Sequence, residues 1–170
     1  MIFTLLAYKV LYPNAMHLTR GNHEARMLNL TYGFYRELIA KFSSEIMFEM
    51  MQEVFNYLPL GILLNKKVLV LHGGLFAREG VKLSDLQAID RNRDIPESGD
   101  MCDMLWSDPM KGNGRLPSHR GCGVCFGPDV TERFLKENNL AMVVRSHEAK
   151  DDGYEIAHNG KLVTVFSAPK

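Results

Sequence analysis

Three histidines in this chain share one setting. His72 follows the apolar run Val68-Leu69-Val70-Leu71, and His147 follows Met142-Val143-Val144-Arg145-Ser146. His23 sits in Arg20-Gly21-Asn22-His23-Glu24, just after Met16-His17-Leu18. Each run reads as a short strand that ends in a turn, and α/β folds keep their chemistry at such strand ends. One histidine of this kind reads as a satisfied structural residue. Three in matching places, one of them beside Asn22, point instead to a metal, because imidazole suits zinc and iron and a carboxamide oxygen suits harder cations. The chemistry open to a mixed nitrogen and oxygen site is hydrolysis by metal-activated water.

The elements that must carry these residues follow from periodicity. Phe3 to Leu11 reads as a helix with Leu5, Leu6, Val10 and Leu11 toward a core, stopped by Tyr12-Pro13-Asn14. Met16 to Leu18 reads as a strand. From Ala25 to about Asn56 the pattern is helical, with Phe34, Leu38 and Phe42 at i, i+4, i+8 and an apolar stripe from Ile46 through Met47, Met50 and Met51 to Phe55. The methionines read as core filler.

Leu60–Leu64 and Lys67–Leu71, joined at Asn65-Lys66, predict a hairpin. Gly73-Gly74 lets the backbone turn closely past whatever His72 holds. Ser84-x-x-Gln87 is a capping-box signal for a helix near Leu83 to Ile89. Ile95 to Gly121 reads as a long loop, anchored by Trp106. Pro128 opens a helix to about Asn138, Ala141 to Val144 is a strand, and Asn159-Gly160 predicts a hairpin with a tight two-residue turn. His119 is expected to be exposed, His158 to be a plain hairpin residue, and Arg91 and Arg93 to line a groove or pair with acids in a loop.

Composition narrows the function classes. The chain has 170 residues, 46% of them apolar, and 20 basic against 20 acidic side chains. That fills one core and gives no long-range pull toward nucleic acid or an anionic membrane. No run approaches a membrane span, and the apolar start lacks the basic region of a signal peptide. Three cysteines, an odd number, argue against a disulfide framework and for a cytoplasmic or nuclear setting. Cys122-x-x-Cys125 has no second pair to complete a zinc site.

The motifs together carry a resemblance. Leu18-Thr-Arg-Gly-Asn-His-Glu24, Leu71-His-Gly-Gly-Leu75, Leu105-Trp-Ser-Asp-Pro109, Arg120-Gly121 with Phe126-Gly127, Arg145-Ser-His147 and Phe166-Ser-Ala-Pro169 resemble, in order and spacing, the phosphoprotein phosphatase family of metal-dependent Ser/Thr protein phosphatases. Glu53-Val-Phe-x-x-Leu-Pro59, Arg91-Asn-Arg93 and Met101-Cys-Asp-x-Leu-Trp106 look most like its type-five branch. The resemblance covers essentially the whole chain.

The resemblance implies a mixed α/β layered fold of the calcineurin-like metallophosphoesterase kind, acting on phosphoserine and phosphothreonine in proteins. It implies Asn22, His72 and His147 as ligands of one metal, His23 as the general acid, Arg120 as a phosphate-gripping arginine and Glu24 as a support of the Asn-His turn. It implies divalent ions, manganese, iron or zinc, two of them in an intact site. The family also has two earlier Gly-Asp motifs and further sheet beyond Ser-Ala-Pro. Residues 1–170 are therefore expected to be a partial catalytic domain, truncated at both ends, holding at most one ion and turning over little. The expected partners are phosphoprotein substrates and a regulatory protein, with no nucleic acid and no membrane. Two other readings stand beside this one: a non-catalytic pseudophosphatase that binds partners around Trp106 to Arg120, and a different metallophosphoesterase acting on nucleotides, which the Leu-Trp-Ser-Asp-Pro stretch and the neutral charge disfavour.

Overall fold

The computed structural model describes residues 1–168; Pro169, which closes the Phe166-Ser-Ala-Pro motif, and Lys170 lie outside the described residues. The centre is a mixed sheet of strands β1 (Gly61–Leu64), β2 (Val68–Leu71), β6 (Met142–Arg145), β7 (Tyr154–Ala157) and β8 (Leu162–Val165), in the order β1-β2-β6-β8-β7. The outer pairs are antiparallel hairpins, and β2, β6 and β8 run parallel. A smaller sheet, β3 (Asp108–Pro109), β4 (Arg115–Pro117) and β5 (Val124–Phe126), has β5 in the middle.

The parallel core follows from composition. Val-Leu-Val-Leu and Met-Val-Val-Arg are apolar on both faces, as strands covered on both sides must be. Their register, Val68 opposite Met142 and Val70 opposite Val144, brings the ends that carry His72 and His147 to the same edge. The main apolar cluster joins Leu69, Leu71, Val143 and Leu162 of this sheet to Met104 and Leu105 of α6 (Asp100–Trp106) and Phe134 of α7 (Pro128–Glu137). Pro128 starts α7 as expected, at a position that needs no N–H.

The segment 25–56 is broken into three helices, α2 (Arg26–Thr31), α3 (Phe34–Phe42) and α4 (Glu45–Tyr57). The breaks are Gly33 (φ +94°) and Ser43 (φ +50°), both left-handed, with the Ser44 side chain then capping α4 through the Ile46 N–H. The buried stripe of α4 is Phe48, Met51, Gln52 and Phe55, whereas Ile46 and Met50 are exposed. Phe48, Met51 and Phe55 form a second cluster with Leu38, against which Ile2 and Leu6 of α1 (Ile2–Leu11) pack. Val10 and Leu11, expected inward, are exposed.

Other expectations are corrected as well. Met16 to Leu18 forms no strand. Among the described residues, positions 17–20 make a single backbone bond, from the Arg20 N–H to the Pro59 carbonyl, and a strand needs a ladder. The loop from Ile95 to Gly121 contains α6, β3 and β4. Helix α5 (Leu83–Gln87) starts at Leu83 as expected but ends sooner, and its cap is Lys82 rather than Ser84, with the Asp85 carboxylate accepting the Lys82 N–H at 3.0 Å. Asn65 and Lys66 turn the first hairpin with φ of 49° and 57°. The Asn159-Gly160 turn is longer than two residues, because Ala157 pairs with Leu162 and His158 joins the connection. His158 is buried: its ring nitrogens meet Thr131 Oγ1 at 2.7 Å and the Met110 carbonyl at 3.0 Å. It therefore ties the hairpin to α7. His119 is exposed.

Gly73 shows how tightly the sheet edge is built. A Cβ there would lie 2.5 Å from both the Leu105 carbonyl carbon and the Trp106 nitrogen, and these backbone atoms cannot swing aside. Gly73→Ala is expected to cost about 1–3 kcal/mol, the range of overpacking, read as a lowered thermal midpoint. An unchanged midpoint would refute this close approach.

Candidate active site

Each candidate side chain arrives on a different device. His72 is the first residue beyond β2. His147 lies two beyond β6 and turns inward at φ +71°, an unusual conformation for a residue other than glycine. The two connections are stitched together by the Ser146 N–H donating to the His72 carbonyl at 3.0 Å. Asn22 and His23 come on a loop rather than a strand, and that loop is anchored by Arg20, which is fully buried. Arg20 donates from Nε to the Glu24 carbonyl at 2.9 Å, from Nη1 to the Arg93 carbonyl at 2.8 Å and from Nη2 to Asn56 Oδ1 at 2.9 Å. Glu24 closes the turn by accepting the Gly21 N–H at 2.7 Å. Thus Arg91 and Arg93 act on the site through their carbonyls, both of which Arg20 contacts.

These devices bring three donor atoms together. His72 Nε2 lies 2.8 Å from Asn22 Oδ1 and 3.0 Å from His147 Nδ1. Zinc–nitrogen bonds are about 2.0–2.1 Å, and ligands at near right angles around one ion are then about 3 Å apart, so the spacing fits a shared cation. The protonation state agrees. Burial, then the neighbouring His147, pushes His72 down to about 3; burial, then Arg120, pushes His147 down to about 4. Both rings are neutral at pH 7 and have a lone pair to offer. On the other side of its ring, His147 Nε2 is buried with no partner among the described residues, the kind of unmet polar atom that functional sites retain. No group of three or more His, Cys, Asp or Glu side chains poised for a metal occurs among the described residues; the cluster is two imidazoles and one carboxamide.

His23 is exposed beside this cluster, its ring 5.3 Å from that of Tyr32. Arg120 is also near, its charge acting on His147. Its Nε donates to Asp108 Oδ2 at 2.6 Å, and its terminal nitrogens have no protein partner among the described residues. The second oxygen of Asp108 accepts from Arg145 Nη2 at 2.7 Å. Arg145, 1% exposed, also donates to the Gly73 carbonyl at 2.6 Å and to Glu148 Oε2 at 2.7 Å. Sequence reasoning named Arg20, Asp108 and Arg145 within motifs but gave them no role. The signal available was a charge ending an otherwise apolar strand, Met-Val-Val-Arg.

Residues 1–151 match the family model described as calcineurin-like phosphoesterase. The chain belongs to that family. It is 60% identical to serine/threonine-protein phosphatase 5 of Solanum lycopersicum over 168 residues, covering 99% of this chain and 30% of that protein. It is 55% identical to serine/threonine-protein phosphatase 5 of Homo sapiens, covering 99% of this chain and 34% of the relative. A solved serine/threonine phosphatase from Saccharomyces cerevisiae, described as similar to human phosphatase PP5, superposes with a TM-score of 0.93 at 45% identity, over 97% of this chain and 51% of that one. The phosphoesterase chain thus spans about a third of the length of these curated relatives. The family implies divalent metal ions. No helix among the described residues is long and apolar enough to cross a membrane.

Asp108 carries the testable consequence. Burial pushes its carboxyl up, but Arg120 and Arg145 outweigh this and hold it below the ordinary range. A carboxyl with a lowered folded value contributes stability that is complete above its unfolded value of about 3.9 and is lost as pH falls through the folded one. Asp108→Ala leaves Arg145 buried with one carboxylate fewer and is expected to cost about 3–5 kcal/mol at pH 7. The gap between parent and variant should narrow only below about pH 4. Urea titrations across pH read both, and a gap that persists unchanged at pH 2 would contradict the assignment.

Proposed function

We propose that residues 1–170 contribute to the catalytic domain of a metal-dependent protein serine/threonine phosphatase. The observation that carries the reading is the convergence of Asn22 Oδ1, His72 Nε2 and His147 Nδ1. The names of the relatives supply the substrate class. In this reading the three donors hold one cation, manganese, iron or zinc. When bound, such an ion polarises a phosphoryl oxygen and lowers the pKa of its water, making a nucleophile at neutral pH.

The protein's own groups do the rest. Arg120, steered by Asp108, offers its terminal N–H groups to two phosphoryl oxygens, the bidentate geometry that guanidinium favours. Water adds to phosphorus and releases a proton to solvent, the bond from phosphorus to the serine or threonine oxygen breaks, and the His23 imidazole passes a proton to that leaving oxygen and regains one from solvent. Its exposed position at the turn supports a role toward the substrate rather than among the ligands. The groove of about 410 Å³ bounded by Leu28, Ile95, Trp106 and Arg120 has room for the polypeptide around the phosphorylated residue, and would equally accept a regulatory protein. Three free cysteines support a cytoplasmic or nuclear setting.

Equilibrium dialysis of the chain against manganese, iron or zinc is expected to load one ion, and His72→Ala to abolish the loading. His23→Ala should leave metal content unchanged and lower phosphoserine-peptide turnover about 10²–10⁴-fold, the usual worth of general acid–base catalysis. Metal uptake that survives His72→Ala, or hydrolysis of dinucleotides in preference to phosphopeptides, would overturn the reading.

A further inference from the structure

Gln52 is an amide in the middle of an apolar stripe, between Met51 and Phe55 on the inner face of α4. It is nearly buried, at 9% exposure. Its Nε2 donates to Asn29 Oδ1 at 2.8 Å. Asn29, 6% exposed in α2, donates from its own Nδ2 to the His23 carbonyl. Two buried amides in series therefore connect the core of the second apolar cluster to the turn that carries Asn22 and His23.

We infer that Gln52 and Asn29 form a positioning relay for the Asn22–His23 turn. The inference rests on the metal reading proposed above. Its polarity is dictated from the turn end. The His23 carbonyl can only accept, so Asn29 must present its NH₂ there and its oxygen to Gln52, and Gln52 must donate. Packing alone does not hold Asn29 in this pose, because a cavity of about 180 Å³, lined by Asn29, His23, Tyr32 and Phe55 among others, lies beside it. With the Gln52 donor removed, the Asn29 amide keeps only one of its two orienting partners and has room to rotate away from the His23 carbonyl.

Two other carbonyls of the turn have their own partners: Gly21 accepts the Glu24 N–H at 3.2 Å, and Glu24 accepts Arg20 Nε at 2.9 Å. The relay is thus a third anchor, on the His23–Glu24 peptide, one residue beyond Asn22. Asn22 Oδ1 stands 2.8 Å from His72 Nε2, and a small shift of that peptide takes the carboxamide oxygen out of ligand position.

The test is manganese affinity by calorimetry on the 170-residue chain, with thermal midpoints measured beside it. Gln52→Met keeps length and apolar packing but cannot donate; Gln52→Glu, when ionised, can only accept and forces the wrong Asn29 orientation. Each is expected to weaken manganese binding about 10–100-fold, the usual cost of losing a partner that orients a ligand, with Gln52→Glu the worse. Met51→Ala, on the same face of α4 and outside the relay, should lower the midpoint yet leave affinity within about twofold. Asn29→Ala combined with Gln52→Met should be no weaker than Asn29→Ala alone, as links in series require. If Gln52→Glu does not fold, Gln52→Met decides. A Gln52→Met affinity equal to the parent's, or a loss matched by Met51→Ala, overturns the relay while leaving the metal reading intact. A parent that binds no manganese, or binding that survives His72→Ala, overturns the metal reading and the relay with it.

Discussion

Arg145 is a full positive charge taken out of water, and the site is arranged around satisfying it. Burying a guanidinium without partners is prohibitive, yet this one meets the Gly73 carbonyl, the Ser107 carbonyl, Asp108 and Glu148. Those four partners belong to the turn after β2, the end of α6, the start of β3 and the turn after β6. Satisfying one side chain therefore draws the loops around His72 and His147 into a single arrangement. Asp108 extends the arrangement outward, since the oxygen not used by Arg145 aims Arg120. A buried ion pair contributes little net stability; here it sets geometry.

Arg20 does the same for the loop that has no strand to stand on. Its guanidinium gathers carbonyls from Glu24, Arg91 and Arg93 and the side chain of Asn56, so α4 and the stretch after α5 brace the Asn22 turn. The two halves of the donor cluster thus rest on separate supports: His72 and His147 on the parallel sheet, Asn22 on buried polar contacts to the helical cluster. They meet at the donor atoms, where His72 Nε2 lies 2.8 Å from Asn22 Oδ1 and 3.0 Å from His147 Nδ1.

The helical side is less securely packed. α1 has no fully buried residue, and Met1, Val10, Leu11 and Tyr12 are exposed. The second apolar cluster, although it braces Asn22 through Asn56 and Gln52, is much smaller than the one under the sheet. The placement of Asn22 on its loop accordingly depends on hydrogen bonds more than on buried area.

Much was legible in the chain itself. Val-Leu-Val-Leu, Met-Val-Val-Arg and the Pro128 start of α7 specify their elements locally, because alternation, buried runs and missing donors act over a few residues. The types of Asn22, His72 and His147, and their places in the sequence, likewise sufficed to single them out, and the fold brings their side chains together. The breaks at Gly33 and Ser43 were not legible as breaks, since the apolar pattern continues across them, and the Met16–Leu18 strand failed because a strand needs a partner that local sequence cannot supply. His158 looked like a turn residue until α7 brought Thr131 to its ring. Which imidazole nitrogen faces which, and that Asp108 holds Arg120 while Gln52 reaches the His23 turn through Asn29, depended on residues tens of positions apart. Their distances are set by the parallel register of β2 and β6 and by the two buried arginines, long-range constraints that only the folded chain expresses.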